Sequence, residues 1–115
     1  MAEPDVEAQN LTKSCNEALI LAALTEGPRH GYQLALDIEG RGEGFFKFKH
    51  GTLYPILHKL EKGGLIAGTW SDEGPRGKRK RYALTAKGRR YAQRQRESWR
   101  IFIDRFLAVL GEPGS

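Results

Sequence analysis

Two clusters of side chains carry the chemistry this sequence offers. The first lies in GTLYPILHKLEK, residues 51–62. At about 100° per residue, Leu53, Ile56, Leu57 and Leu60 form one apolar stripe of a helix. The opposite face presents Gly51, Tyr54, Pro55, His58, Lys59 and Lys62, with Lys49 and Thr52 at its start. Such a face suits a nucleic acid. The lysines neutralise phosphates, Thr52 and Tyr54 donate to phosphate oxygens, and His58 reaches for a base edge. Taken alone, it reads better as the solvated side of an ordinary helix. The second cluster, Arg76, Lys78, Arg79 and Lys80, shifts that balance. It sits where Gly74, Pro75 and Gly77 mark a hairpin loop. Four cations at the end of a stiff ribbon lie where a DNA backbone or minor groove receives them.

Charge is distributed to match. Between Gly74 and Arg100 there are eleven basic residues against one acid, Glu97, in a chain with a formal net charge of +5. The rest holds eight bases and thirteen acids. A length of 115 residues fits one domain. The longest apolar run, Ala18–Leu24, is far short of the roughly 20 residues of a membrane span. The acidic start, MAEPD, lacks the order of a secretory signal. A single cysteine, Cys15, excludes an internal disulfide framework and suits a reducing cytoplasm. Enzymatic chemistry finds no footing: there is no phosphate loop and no pairing of carboxylates with histidine. Cys15 with His30, His50 or His58 has no metal-ligand spacing, so neither a metal nor another cofactor is expected.

The elements that must position these clusters are mainly helical, with a small β-hairpin. Residues 1–10 read as a loose arm. A first helix over 11–24 is apolar all round in its second half and stops at Gly27-Pro28. A short second helix runs from about His30 to Glu39, with His30 as its cap. Phe45–Phe48 alternates like a short strand. Pro55 is tolerable in the first turn of the third helix, which places that helix's start at His50 to Thr52. Strands follow over 65–71 and 79–84, the second with Lys80, Tyr82 and Leu84 on one face, and Trp70 packing in the hairpin. Thr85 caps a last helix over 86–110, about 37 Å long. Its stripe of Gly88, Ala92, Gln95, Trp99, Phe102, Phe106 and Val109 repeats every 3.5 residues, the period of a helix packed along another helix. This order predicts a winged helix-turn-helix over 11–85, a dimerisation helix over 86–110 and a tail over 111–115. Leu11, Ala92, Trp99, Phe102, Phe106 and Val109 are the candidate dimer interface. A winged-helix module that binds protein instead of DNA is the rival, and the cationic wing argues against it.

The same residues carry a resemblance. ALILAALTEGPRHGYQ (18–33), GTLYPILHKLE (51–61), GLI (64–66) and KRYALTAKG (80–88), in this order and spacing, resemble the PadR family of bacterial transcriptional regulators over residues 11–110. The resemblance implies a homodimeric repressor, with the last helix dimerising and each wing flanking an inverted-repeat operator. Because only one helix follows the wing, the chain is similar to the short subfamily. Some of its members hold planar aromatic effectors at the dimer interface against a tryptophan on the last helix, the place Trp99 occupies. Cys15, Ala18 and Gln95 would line that space. Two positions depart from the family pattern. Lys49 stands where Ser or Asn commonly caps the third helix, and Arg81 replaces a common aromatic residue in the wing.

Overall fold

The computed structural model describes residues 8–71 and 79–111, with side chains from Cys15 onward and excepting that of His50. The order is α1 (Ala8–Leu24), β1 (Arg29–His30), α2 (Gly31–Arg41), α3 (His50–Lys62), β2 (Ile66–Ser71), β3 (Arg79–Leu84) and α4 (Ala86–Leu110). This is a winged helix with a long C-terminal helix attached. Helix α1 begins at Ala8, within the span expected to be an arm. The expected hairpin loop, with Arg76 and Lys78, lies outside the described residues, as does the tail from Glu112 onward.

The sheet has three antiparallel strands in the order β1-β3-β2. Strands β2 and β3 pair from Ile66↔Leu84 to Ser71↔Arg79, as the sequence spans require. Strand β1 is an addition. Arg29 and His30 pair with Tyr82 and Arg81, so the second helix starts one residue later than expected, at Gly31. His30 does stand at the N-cap of α2: its N–H donates to Gln33 Oε1 at 2.9 Å, and its Nδ1–H donates to the Lys80 carbonyl at 3.2 Å. Two residues are too short a run to show a period-two pattern, which hid this strand.

The alternation at Phe45–Phe48 is not a strand. The segment has no pairing partner and runs as a bend and coil. Phe46 and Phe48 are half-buried against the core, so the alternation anchors a loop. Pro55 also differs from expectation. Helix α3 starts at His50, which places Pro55 in the second turn, where it removes the bond to the Gly51 carbonyl. Both residues are exposed, so water can satisfy that carbonyl.

The core is one cluster. Ile20, Leu21 and Leu24 of α1 meet Leu34 of α2, Leu57 and Leu60 of α3, and Ile66 of β2, all essentially without solvent exposure. Each such side chain stabilises the fold by about 1.5–3 kcal/mol relative to exposure. Helix α4 joins this core only at its beginning. Thr85 Oγ1 accepts the Gly88 N–H at 3.0 Å and donates to the Gly64 carbonyl at 2.6 Å. Gly88 and Ala92 are buried. Past Trp99 the helix leaves the body, giving the described chain extents of 52 × 32 × 20 Å.

Candidate nucleic-acid interface

Helix α3 divides cleanly. Leu53, Leu57 and Leu60 are buried, whereas Thr52, Tyr54, His58, Lys59 and Lys62 are exposed along one side, preceded by exposed Lys49. Lys49 is the N-cap in extended conformation and forms no side-chain cap bond. Its carbonyl instead accepts the N–H groups of Thr52 and Leu53, both at 2.9 Å. Departure from a Ser or Asn cap therefore leaves the helix start intact and adds a cation there.

Tyr54 is placed by a glycine. A methyl group on Gly31 would lie 2.7 Å from the Tyr54 hydroxyl, so the ring lies over the start of α2 in a space only glycine leaves. The glycine of HGY and the tyrosine of GTLYP thus form one contact. Beside it, Arg79 of the wing sets its guanidinium 5.5 Å over the Tyr32 ring, with Nη1 donating to Tyr32 Oη at 3.3 Å. Tyr32, half-exposed, belongs with the candidate site, and the pattern of the residues gave no sign of it. Only the pairing of β1 with β3 brings residue 32 next to residue 79.

Lys80 occupies a different setting from the other wing cations. Its Nζ lies 2.8 Å from Glu61 Oε1 and within 5.6 Å of the Trp70 and Tyr82 ring centres. Glu61 Oε2 accepts the Gly68 N–H at 3.2 Å. The hydrogen bond from Lys80 holds the Glu61 carboxyl below its ordinary range, and the same bond pushes the Lys80 ammonium up. This pair fixes the end of α3 to the wing strands. Trp70, expected to pack in the hairpin, is largely exposed, with that ammonium over its ring.

Glu17 of α1 is a further residue that pattern reasoning missed. Its Oε1 accepts the Tyr91 hydroxyl at 3.1 Å, and its Oε2 lies 3.9 Å from Lys59 Nζ. Tyr91 Oη in turn accepts a bond from Gln95 Nε2 at 3.3 Å. Helix α1 therefore stands between α4 and the outward face of α3.

On α4 the 3.5-residue stripe changes character along its length. Ala92, expected in a dimer interface, is buried in the protomer's own core. Gln95 and Trp99 are half-buried, and Phe102, Phe106 and Val109 are exposed. Trp99 meets Phe102 edge-on at 5.6 Å between ring centres. Gln95 Oε1 is buried and has no hydrogen-bond partner among the described residues. Cys15 and Ala18 of α1 are half-buried, and burial pushes the Cys15 thiol up, away from thiolate chemistry. Leu11 lies in α1, but its side chain is outside those described.

The fold and this face define a winged-helix protein of the nucleic-acid-binding class. Comparison with known proteins gives the family. Residues 20–94 match the Transcriptional regulator PadR-like family, and the chain belongs to it. It is 32% identical over 97 residues to uncharacterised protein X of Lysinibacillus sphaericus, covering 82% of this chain and 89% of that one. A PadR-like transcriptional regulator from Bacillus cereus superposes with a TM-score of 0.76 at 28% identity, covering 90% of this chain and 99% of that one. PadR of Bacillus subtilis in complex with operator DNA superposes with a TM-score of 0.64 at 28% identity, over 70% of this chain and 44% of that one. The chain is thus a PadR-family transcriptional regulator, and the family is one of regulators, not enzymes.

Proposed function

We propose that this protein binds duplex DNA sequence-specifically as a homodimer and represses transcription in a bacterial cytoplasm. The observation that carries this reading is the exposed row Thr52, Tyr54, His58, Lys59 and Lys62 on α3, with Arg79 of the wing held beside it. The B. subtilis neighbour bound to operator DNA supports it. Two-fold symmetry calls for an inverted-repeat operator with half-sites about one helical turn, roughly 34–36 Å, apart. Lys49, Arg76, Lys78 and Lys80 complete the proposed surface, Lys80 through its grip on Glu61.

Lys59→Ala or Arg79→Ala is expected to weaken binding to all sequences alike, each flattening the salt slope by about one unit per half-site. His58→Ala is expected to change base preference at one position of each half-site. Fluorescence anisotropy on operator and scrambled duplexes across a salt series reads both. Unchanged affinity and slope in the two charge removals would displace the DNA surface from this face and favour a protein-binding module.

The same proposal includes a planar aromatic effector between the two copies of Trp99, bordered by Cys15, Ala18 and Gln95. Half-buried Trp99 and Gln95 Oε1, which has no hydrogen-bond partner among the described residues, support it. Stacking contributes on the order of 1 kcal/mol per ring face beyond burial. Titration with planar dyes is expected to quench Trp fluorescence in the parent and in Trp70→Phe, and not in Trp99→Ala. Quenching that survives in Trp99→Ala would reduce this residue to interface packing.

A further inference from the structure

The outer face of α4 carries five arginines that the DNA-reading face does not use. Arg89, Arg90, Arg94, Arg96 and Arg100 are all exposed, and none forms an ion pair among the described residues. They flank Gln93 and Glu97, and Arg90, Gln93, Arg94 and Glu97 border an open groove of about 430 Å³. The opposite side of the helix, Tyr91, Ala92 and Gln95, is turned inward, and Tyr91 is bonded to Glu17 of α1. Since Glu17 also faces Lys59, α1 lies between these arginines and the α3 surface.

The arrangement works against the helix that bears it. Cations near a helix N-terminus oppose its macrodipole, and the first turn of α4 has no acid. Arg90 with Arg94 and Arg96 with Arg100 are like-charge neighbours at i, i+4, each destabilising by a few tenths of a kcal/mol. A solvated face alone does not call for this, and alternating charges would serve solubility better. A partner that neutralises a broad band of positive charge does. Arg89 to Arg100 spans about 16 Å along the axis. Duplex DNA offers one negative charge per roughly 1.7 Å of its axis, enough to face this whole band. All five residues are arginine, whose planar fork engages phosphate oxygens bidentately.

We propose that this arginine row is a second, sequence-blind docking surface for the phosphate backbone of duplex DNA, separate from the winged-helix face. It lets one molecule hold two duplex segments.

A bridging assay tests this. The protein is saturated with an immobilised operator-bearing duplex, and a labelled duplex of unrelated sequence is then offered at low salt. The parent is expected to retain the second duplex. Arg90→Gln/Arg94→Gln/Arg96→Gln is expected to hold the first duplex yet retain at least tenfold less of the second, with its salt slope lower by about two to three units. Arg90→Lys/Arg94→Lys/Arg96→Lys keeps the charge and is expected to restore most of the capture. The glutamine variant loses like-charge neighbours, so a thermal melt no lower than the parent's shows it folded. Lys59→Ala/Arg79→Ala, impaired on the α3 face and so poorly held by the operator, is expected to bind the labelled duplex directly in solution at low salt, with an affinity that falls when Arg90→Gln/Arg94→Gln/Arg96→Gln is added. This separates failure of the row from failure of the winged-helix reading. A parent that captures no second duplex overturns the proposal, as does a glutamine variant that bridges as well as the parent. Vesicles of anionic phospholipid retained where the second duplex is not would also overturn it.

Discussion

Phe106→Asp is expected to turn the protein into a monomer and abolish tight operator binding. From Ile101 onward α4 is apolar on nearly every side. Ile101, Phe102, Ile103, Phe106, Val109 and Leu110 are all exposed, Val109 by 87%. Soluble monomers rarely carry so much contiguous apolar surface, and the proposed cover is a second copy of the same helix, which is self-complementary. Phe106 stacks on Phe102, with ring centres 5.9 Å apart, near the middle of this run. Symmetry places the substitution twice in the interface. Each copy removes about 1 kcal/mol of remaining transfer energy and buries a carboxylate that costs about as much again or more. A total of roughly 4–6 kcal/mol is three to four orders of magnitude in the dimer constant. Sedimentation is expected to give about twice the 12.9 kDa chain mass for the parent and one chain mass for the variant. Operator affinity falls with it, because half-sites bound separately lose the advantage of linkage. A parent that sediments as a monomer at micromolar concentration would refute the dimer.

What was legible in the sequence follows the length and regularity of each signal. Helix α4 was placed at its observed bounds because a cap, a sustained period and Gly111 agree. The β2–β3 hairpin emerged from strand-forming runs on both sides of a Gly/Pro loop, and α3 from its leucine stripe. Several of the misses depend on contacts distant in sequence. Strand β1 exists because β3 offers a free edge to Arg29 and His30. The segment at Phe45–Phe48 had the right alternation and no edge to join. Tyr32 and Glu17 belong to the candidate site through partners at residues 79, 59 and 91. Composition placed Lys80 among free wing cations, and only the fold reveals that Glu61 holds it. The stripe on α4 has the period of one seam, whereas its first half packs within the protomer and its second half lies open. Periodicity identifies a face and leaves the identity of its neighbour to the tertiary structure.

Gly88→Ala is expected to be among the most damaging single substitutions in the chain, although it exchanges glycine for the best helix former. In an exposed helix interior that exchange stabilises by up to about 1 kcal/mol. Here the added methyl would overlap the Leu65 carbonyl oxygen and lie 2.8 Å from its carbon, both backbone atoms that no rotamer change can move. Nor is that carbonyl free to retreat. It accepts the Thr85 N–H at 3.1 Å, while Thr85 caps α4 through Gly88 itself and ties its hydroxyl to Gly64. Relief requires α4 to swing away from the hairpin. That breaks the cap, worth about 1 kcal/mol, and one or two further hydrogen bonds of similar value. It also unseats Ala92 from the core. After the gain in helix propensity, the net loss is about 2–4 kcal/mol. At roughly 4 °C or more per kcal/mol for a chain of this size, the melting temperature falls by about 10–15 °C. Gly40→Ala in α2 is the matched control, since a methyl there meets nothing within 4 Å. It is expected to hold or raise the melting temperature. Thermal unfolding of both variants decides the matter: a Gly88→Ala protein that melts with the parent would mean that α4 does not sit against Leu65. The spacing between the dimer helix and the wing would then not be set by this contact.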